Sequence, residues 1–235
     1  MKLNVFNSSD EALRALTEHL MECMEQHRGP FHLALSGAST AQQLFEMWMK
    51  EYREKIRWNQ LRFYWVDERC VAPDDEESNY KLADDMLFRP LNIPNHQVHR
   101  IFGEQNPEME AERYSEQVKW ELPGYASLPR FDCILLGIGV DGHTASIFPN
   151  NSHLLTDKRC YVVSEHPTSG QKRITMSGSL IVNAKTILIP VLGQSKTAIL
   201  QKILSASEHP MLPATYVISH FPEAIVFTDS QVSVE

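Results

Sequence analysis

No apolar run in this chain approaches the eighteen or so residues that a membrane-spanning helix requires. The amino-terminal stretch MKLNVFNSSDEALRAL also lacks the basic and apolar regions of a secretory signal, so a cytoplasmic protein is expected. Cysteine is scarce. Cys23, Cys70, Cys133 and Cys160 lie far apart with no C-x-x-C pair, which argues against a zinc site or a disulfide framework and for reduced thiols in a core. Positive charge is in deficit, with 22 Lys and Arg against 30 Asp and Glu and a net charge of -8. Such a chain offers no broad basic surface for nucleic acid. Internal repeats, low-complexity tracts and linkers are missing too, so residues 1–235 are expected to form a single domain. What remains is ordinary globular usage, 43% hydrophobic and 22% charged, enough for a sizeable core.

Short apolar runs alternate with helical periodicity, the pattern of βαβ units in a mostly parallel sheet. Strands are expected at Lys2–Phe6, Phe31–Leu35, Leu61–Val66, Phe131–Leu136, Tyr161–Ser164, Thr186–Leu192 and Ala224–Phe227. Ser8 and Glu11 have capping-box spacing ahead of Leu13, Leu16 and Leu20, and Gly29 with Pro30 stops that helix. A second helix carries Leu44, Met47 and Trp48. Ser78 is the expected cap of a helix through Leu87, ended by Pro90 and Pro94. Further helices are expected over Pro107–Glu121 and Ser195–Leu204.

In open parallel sheets ligands bind outside the carboxyl ends of strands, and the polar clusters of this chain fall there. Ser36-Gly37-Ala38-Ser39-Thr40 follows the second strand and opens a helix, whose free amides attract an anion such as phosphate. An ordinary helix cap explains the same residues without a ligand. Asp67-Glu68-Arg69 begins a polar loop after the third strand. There Arg69 offers a fixed guanidinium fork that Asp67 could orient, although a solvated charged turn fits equally well. Lys172-Arg173 and Lys196 are further cations, either phosphate clamps or plain surface charge.

The segment LLGIGVDGHTASIFPN, residues 135–150, carries Gly137, Gly139 and Gly142 in G-x-G-x-x-G spacing some twenty residues before Glu165. A dinucleotide fingerprint also needs a crossover helix of ten or more residues behind its third glycine, and Pro149 arrives too soon. Asp141 and His143 give the turn a different meaning. A histidine with a carboxylate beside it suits general-base activation of water. Of the ten histidines, the other nine, His166 among them, lack an acidic, Gly-rich turn at a strand end. A histidine that merely satisfies a turn is the plainer alternative.

Together LALSGAST, WVDER followed by ESNY, LLGIGVDGHTASIFP and RITMSGSLIVNAKTILIPVLGQSKTAIL resemble, in that order and over nearly the whole chain, the 6-phosphogluconolactonase family. That family belongs to the glucosamine-6-phosphate isomerase and deaminase fold group. The resemblance implies an α/β, Rossmann-like fold of NagB type, a mostly parallel sheet with helices on both faces. It implies hydrolysis of 6-phosphoglucono-1,5-lactone to 6-phosphogluconate in the oxidative pentose phosphate pathway, with no cofactor and no metal. His143 would be the base, Asp141 or Asp67 its orienting carboxylate, and Arg69 the oxyanion stabiliser. Ser36, Gly37, Ala38, Ser39, Thr40, Gly139, Arg173 and Lys196 would bind the substrate and its 6-phosphate, with Gly139 also shaping the turn. Deaminases of the group typically carry DEY where this chain has Asp67-Glu68-Arg69, and AFNEP where it has Ala145-Ser146-Ile147-Phe148-Pro149. Their catalytic glutamate is thus replaced by Phe148. The alternatives are a deaminase or a non-catalytic sugar-phosphate sensor of the same fold. The expected partner is a small sugar-phosphate lactone, with neither nucleic acid nor membrane, and the chain is expected to be a monomer or small homo-oligomer. The usual phosphate turn of the family reads SGGSTP, so Ala38 and Ala41 are departures, and Ala38 is expected to take ordinary backbone angles.

Overall fold

A computed structural model describes residues 1–122, 128–205 and 212–232. In chain order its elements are β1 (Lys2–Val5), α1 (Ser9–Gln26), β2 (Phe31–Leu35), α2 (Ala38–Met47), β3 (Leu61–Trp65), β4 (Asp67–Arg69), α3 (Asn79–Ala83) and α4 (Arg89–Leu91). There follow α5 (Pro107–Glu121), β5 (Cys133–Leu135), β6 (Tyr161–Glu165), β7 (Lys172–Met176), α6 (Gly178–Ile181), β8 (Ile187–Val191), α7 (Thr197–Leu204), α8 (Pro213–His220) and β9 (Ile225–Thr228). Six strands form one sheet in the order β1-β9-β8-β5-β2-β3, with every pairing parallel. Helices flank it, as the expected fold class requires. The inner strands β5 and β8 are buried at every residue, as strands covered on both faces must be, whereas the edge strand β1 is partly exposed. No helix among the described residues is long and apolar enough to cross a membrane.

Local chemistry accounts for most boundaries. Ser8 caps α1 by accepting from the Glu11 amide at 3.2 Å, and the Glu11 carboxylate reaches back to the Asn7 amide at 3.1 Å. Ser78 caps α3 by accepting from the Lys81 amide at 3.1 Å. The helical run beyond it continues further than its prolines suggest. A π turn over Asp84–Phe88 precedes Pro90, and the loosened spacing admits a ring that would clash inside a regular α-helix. The run ends at Asn92, whose φ of 51° is left-handed.

A second sheet, antiparallel in the order β4-β7-β6, accounts for two further departures from expectation. Tyr161–Glu165 belongs to it and not to the parallel sheet. Asp67-Glu68-Arg69 is one of its strands instead of a polar loop, with Asp67 6% and Glu68 2% exposed. Charge alone hides this strand, because its ladder partner β7 and the Ser146 hydroxyl that Asp67 accepts from both lie far away in sequence.

The parallel strand order creates the functional crevice. β2 pairs with β3 on one side and β5 on the other, so the chain segments leaving β2 and β5 diverge at a topological switch point. At the opposite end of the same strands Asp132 acts as a clamp. One of its oxygens accepts from the His32 amide at 2.8 Å and pairs with His32 Nδ1 at 2.9 Å; the other accepts from Lys185 Nζ at 2.6 Å. Burial pushes this carboxyl up, but the His32 and Lys185 interactions outweigh it and hold its pKa at about 2.

A carboxyl whose pKa is depressed on folding stabilises the protein above its unfolded pKa and loses that contribution as pH falls toward the folded value. Asp132→Asn should therefore lower the unfolding free energy by about 2 kcal/mol at pH 7. Urea denaturation should show the gap from the parent protein closing below about pH 4. A gap that stays constant from pH 7 to pH 3 would contradict the clamp.

Candidate active site

Two loops leave the switch point side by side, and Ser36 stitches them together. Its hydroxyl donates to the Leu135 carbonyl at 2.8 Å and accepts from the Gly137 amide at 3.3 Å. Gly37 is the cap of α2, where no side chain satisfies the first helical amides, so these donors remain available to an anion. A side chain at Gly37 would land on the amide of Asn79, which itself donates to the Asp67 carbonyl at 2.8 Å. Only glycine lets the two segments approach so closely. Ala38 is the first residue of α2, so it meets the expectation of ordinary helical backbone. The left-handed alanine of this region is Ala145, with φ of 52°.

No helix opens at Gly142, and the next helical segment, a 3-10 turn over Pro149–Thr156, begins only after the loop has closed. Residues 137–148 fold back on themselves through the bridges Ile138↔Thr144 and Thr144↔Ile147, which leaves no helix start for a pyrophosphate. Gly142 has φ of +84°, and its carbonyl accepts from the Ala214 amide at 3.0 Å, tying the turn to α8. Gly139 is needed for another reason: a Cβ there would strike the His143 ring and the Asp141 carboxylate. Asp141 accepts from the His143 amide at 3.1 Å and lies 2.6 Å from His143 Nδ1 through the same oxygen. Burial pushes its carboxyl up, but the His143 amide and imidazole more than compensate, holding it below the ordinary range. The pairing places a proton on Nδ1 and leaves Nε2 of neutral His143 as an acceptor.

The third wall comes from the antiparallel sheet. Strand alternation turns Asp67 and Arg69 to the same side. Asp67 does not orient Arg69: its carboxylate accepts from Ser146 Oγ at 2.5 Å, while Arg69 Nη1 donates to the Glu77 carbonyl at 2.5 Å. Arg173 stands opposite Arg69 in the β4–β7 register and reaches Ser146 Oγ at 3.4 Å. Its neighbour Lys172 points away to Glu108, 3.0 Å distant. Both arginines bury an Nε with no hydrogen-bond partner among the described residues. Burial and then the charge of Arg69 hold Arg173 below the ordinary arginine range. Lys196 Nζ donates to the Ile138 carbonyl at 2.6 Å, and burial likewise lowers its pKa.

These walls enclose a cavity of about 350 Å³. Ser36, Gly37, Ser39, Thr40, Asp67, Arg69, Gly139, His143, Arg173 and Lys196 all line it, and Asp141 stands behind His143. The structure thus brings together side chains drawn from five separate stretches of sequence. Pro190 joins them just beyond Leu188, the last β8 residue paired with β5, where the sheet opens. Phe148 lies between two imidazoles, its ring centroid 4.8 Å from that of His143 and 5.1 Å from that of His166. Local sequence gives no sign of a site at His166, because residues 166–171 form a hairpin loop without an acidic residue. Asn79 carried a sign only as part of ESNY. Among the described residues no group of three or more His, Cys, Asp and Glu could hold a metal ion. The four thiols are free, with Cys133 and Cys160 buried and Cys23 and Cys70 half-buried.

Residues 7–226 match the family described as glucosamine-6-phosphate isomerases/6-phosphogluconolactonase. A 6-phosphogluconolactonase of Treponema pallidum is 39% identical over 91% of this chain and 88% of its own length. One from Haemophilus influenzae is 43% identical over 74% of this chain and 73% of its own. The solved 6-phosphogluconolactonase of Trypanosoma cruzi superposes with a TM-score of 0.85 at 26% identity, covering 97% of this chain and 93% of that one. Matched from its first helix to its last strand, the chain belongs to the glucosamine-6-phosphate isomerase/6-phosphogluconolactonase family.

Proposed function

We propose that this chain is a cytoplasmic 6-phosphogluconolactonase, which hydrolyses 6-phosphoglucono-1,5-lactone to 6-phosphogluconate in the oxidative pentose phosphate pathway. The observation that carries this reading is the Asp141–His143 pair, 2.6 Å apart, on a cavity shared with an uncapped helix start, two arginines and a lysine. One wall supplies a base and the others supply anion donors, as a phosphorylated lactone requires. Phe148 packs against His143 where deaminases of the fold group carry their extra carboxylate, which favours ester hydrolysis over amino-sugar isomerisation.

In this mechanism His143 Nε2 takes a proton from water, and the hydroxide attacks C1 of the lactone. The carbonyl electron pair moves onto oxygen, where Arg69 offsets the charge. Collapse of the tetrahedral intermediate breaks the bond from C1 to the ring oxygen, which recovers the proton from the His143 imidazolium. The products are a carboxylic acid, which ionises, and a free hydroxyl. Asp141 holds the imidazole in the required tautomer and stabilises its cationic form. The 6-phosphate sits against the amides of the Gly37–Thr40 turn, with Arg173 and Lys196 as counter-charges. Binding at this remote group positions C1 over the base.

His143→Ala should cut kcat by about a thousandfold while 6-phosphogluconate still binds within about threefold of the parent affinity. Acid release from freshly prepared lactone measures the first and calorimetry the second, with ammonia release from glucosamine 6-phosphate run alongside. Near-normal lactone turnover would remove His143 from the role of base, and ammonia production would select the deaminase.

Because burial lowers the Lys196 pKa, this amine should lose its charge at a lower pH than an ordinary lysine. The charged form exists below the pKa, so affinity for 6-phosphogluconate should weaken as pH rises through that value. Lys196→Arg should flatten the dependence. A dissociation constant with the same pH dependence in the parent protein and in Lys196→Arg would place the phosphate elsewhere.

A further inference from the structure

We infer that His166 is a second substrate-contacting histidine, a hydrogen-bond donor to an oxygen of the bound sugar and not a base. The inference rests on the sugar-phosphate reading of the cavity and adds a residue which that reading did not include. His166 begins the 166–171 loop between β6 and β7 and lines the cavity, edge-on to the Phe148 ring. Its Nδ1 faces inward to its own loop, where it meets the backbone amides of Thr168 at 3.3 Å and Ser169 at 3.2 Å. Two N–H groups aimed at one ring nitrogen require a lone pair there, so the proton of the neutral ring belongs on Nε2.

The two histidines flanking Phe148 are therefore held in opposite tautomers. His143 gives its Nδ1 proton to Asp141 and keeps an acceptor at Nε2, whereas His166 accepts at Nδ1 and carries a donor at Nε2. A base cannot be built from the second arrangement, because its free nitrogen is already protonated. A donor can, and Nε2 of His166 makes no hydrogen bond to any described residue. The loop also holds the ring in place: the Gly170 amide donates to the His166 carbonyl at 2.9 Å, the His166 amide to that of Gln171 at 3.0 Å, and Gln171 Nε2 to Glu77 at 2.8 Å. Arg173 shares this region, its guanidinium 5.9 Å from the Phe148 ring centre and bonded to Gln171 Oε1 at 3.3 Å. A sugar whose phosphate is bound among the cations would present its hydroxyl and ring oxygens to both imidazoles.

Two-bond nitrogen–proton correlation spectra of the ¹⁵N-histidine-labelled protein test this directly. The His166 signals, assigned by their loss in His166→Phe, should show the Nε2–H tautomer in the free protein. Its Nε2 should shift, together with His143, on saturation with 6-phosphogluconate. An Nδ1–H tautomer, or a His166 that stays still while His143 moves, would overturn the proposal and leave the assigned function standing. If neither histidine responds, the sugar-phosphate reading of the cavity has failed and the proposal with it. In kinetics His166→Phe, which keeps the ring shape without a donor, should raise KM for the lactone about tenfold, with kcat changing much less. His166→Gln, whose amide nitrogen reaches the position of Nε2, should recover most of that loss. Equal KM values for the Phe and Gln variants would count against donation.

Discussion

Glu68 is the buried charge from which the site is hung. Its carboxylate is all but removed from water, and burial pushes its pKa above the ordinary range. An unpartnered carboxylate there would cost several kcal/mol. Three backbone amides, of Arg69, Asn79 and Tyr80, and the Ser78 hydroxyl supply the compensating bonds, at 2.8, 2.8, 2.7 and 3.1 Å. Because strand residues alternate, anchoring Glu68 against the start of α3 turns Asp67 and Arg69 toward the cavity. The same bonds place Asn79 in front of Gly37, so the β4 wall and the anion turn are held together through one carboxylate.

The remaining chemistry is a distribution of charge around the switch point. Arg69 and Arg173 face each other across two paired strands, each with an Nε that has no partner among the described residues, an arrangement that repels itself until an anion arrives. Lys196 donates to the same loop that carries His143, so cation and base share one short scaffold. Glycines make the scaffold possible by clearing space for side chains: Gly139 for the Asp141–His143 pair and Gly37 for Asn79. A spacing that matches a nucleotide fingerprint thus serves to pack an imidazole against a carboxylate.

Much of the parallel sheet was legible because its strands are continuous apolar runs and its helices carry caps close in sequence. The DGH turn was legible for a similar reason, since Asp141 and His143 are two residues apart and meet by local geometry alone. Other features depended on distant partners. The strand nature of Asp67–Arg69 was hidden because its register comes from β7, about a hundred residues later. Asp67 was expected to serve Arg69 and instead holds Ser146, a partner that no spacing rule connects to it. Pro90 failed to end its helix because a π turn absorbed the ring. His166 had no local signature at all.

The sequence by itself determined the apolar strands, the capped helix starts, the fold group and the Asp141–His143 pairing, because each rests on residues within a few positions of one another or on motif order along the chain. Only the tertiary structure decided which cations face inward, what each buried carboxylate holds, and that a second histidine shares the cavity. Those outcomes depend on strand order and on the antiparallel sheet that closes over the crevice. Side-chain direction at such places is set by partners brought together from remote segments, and no local periodicity encodes them.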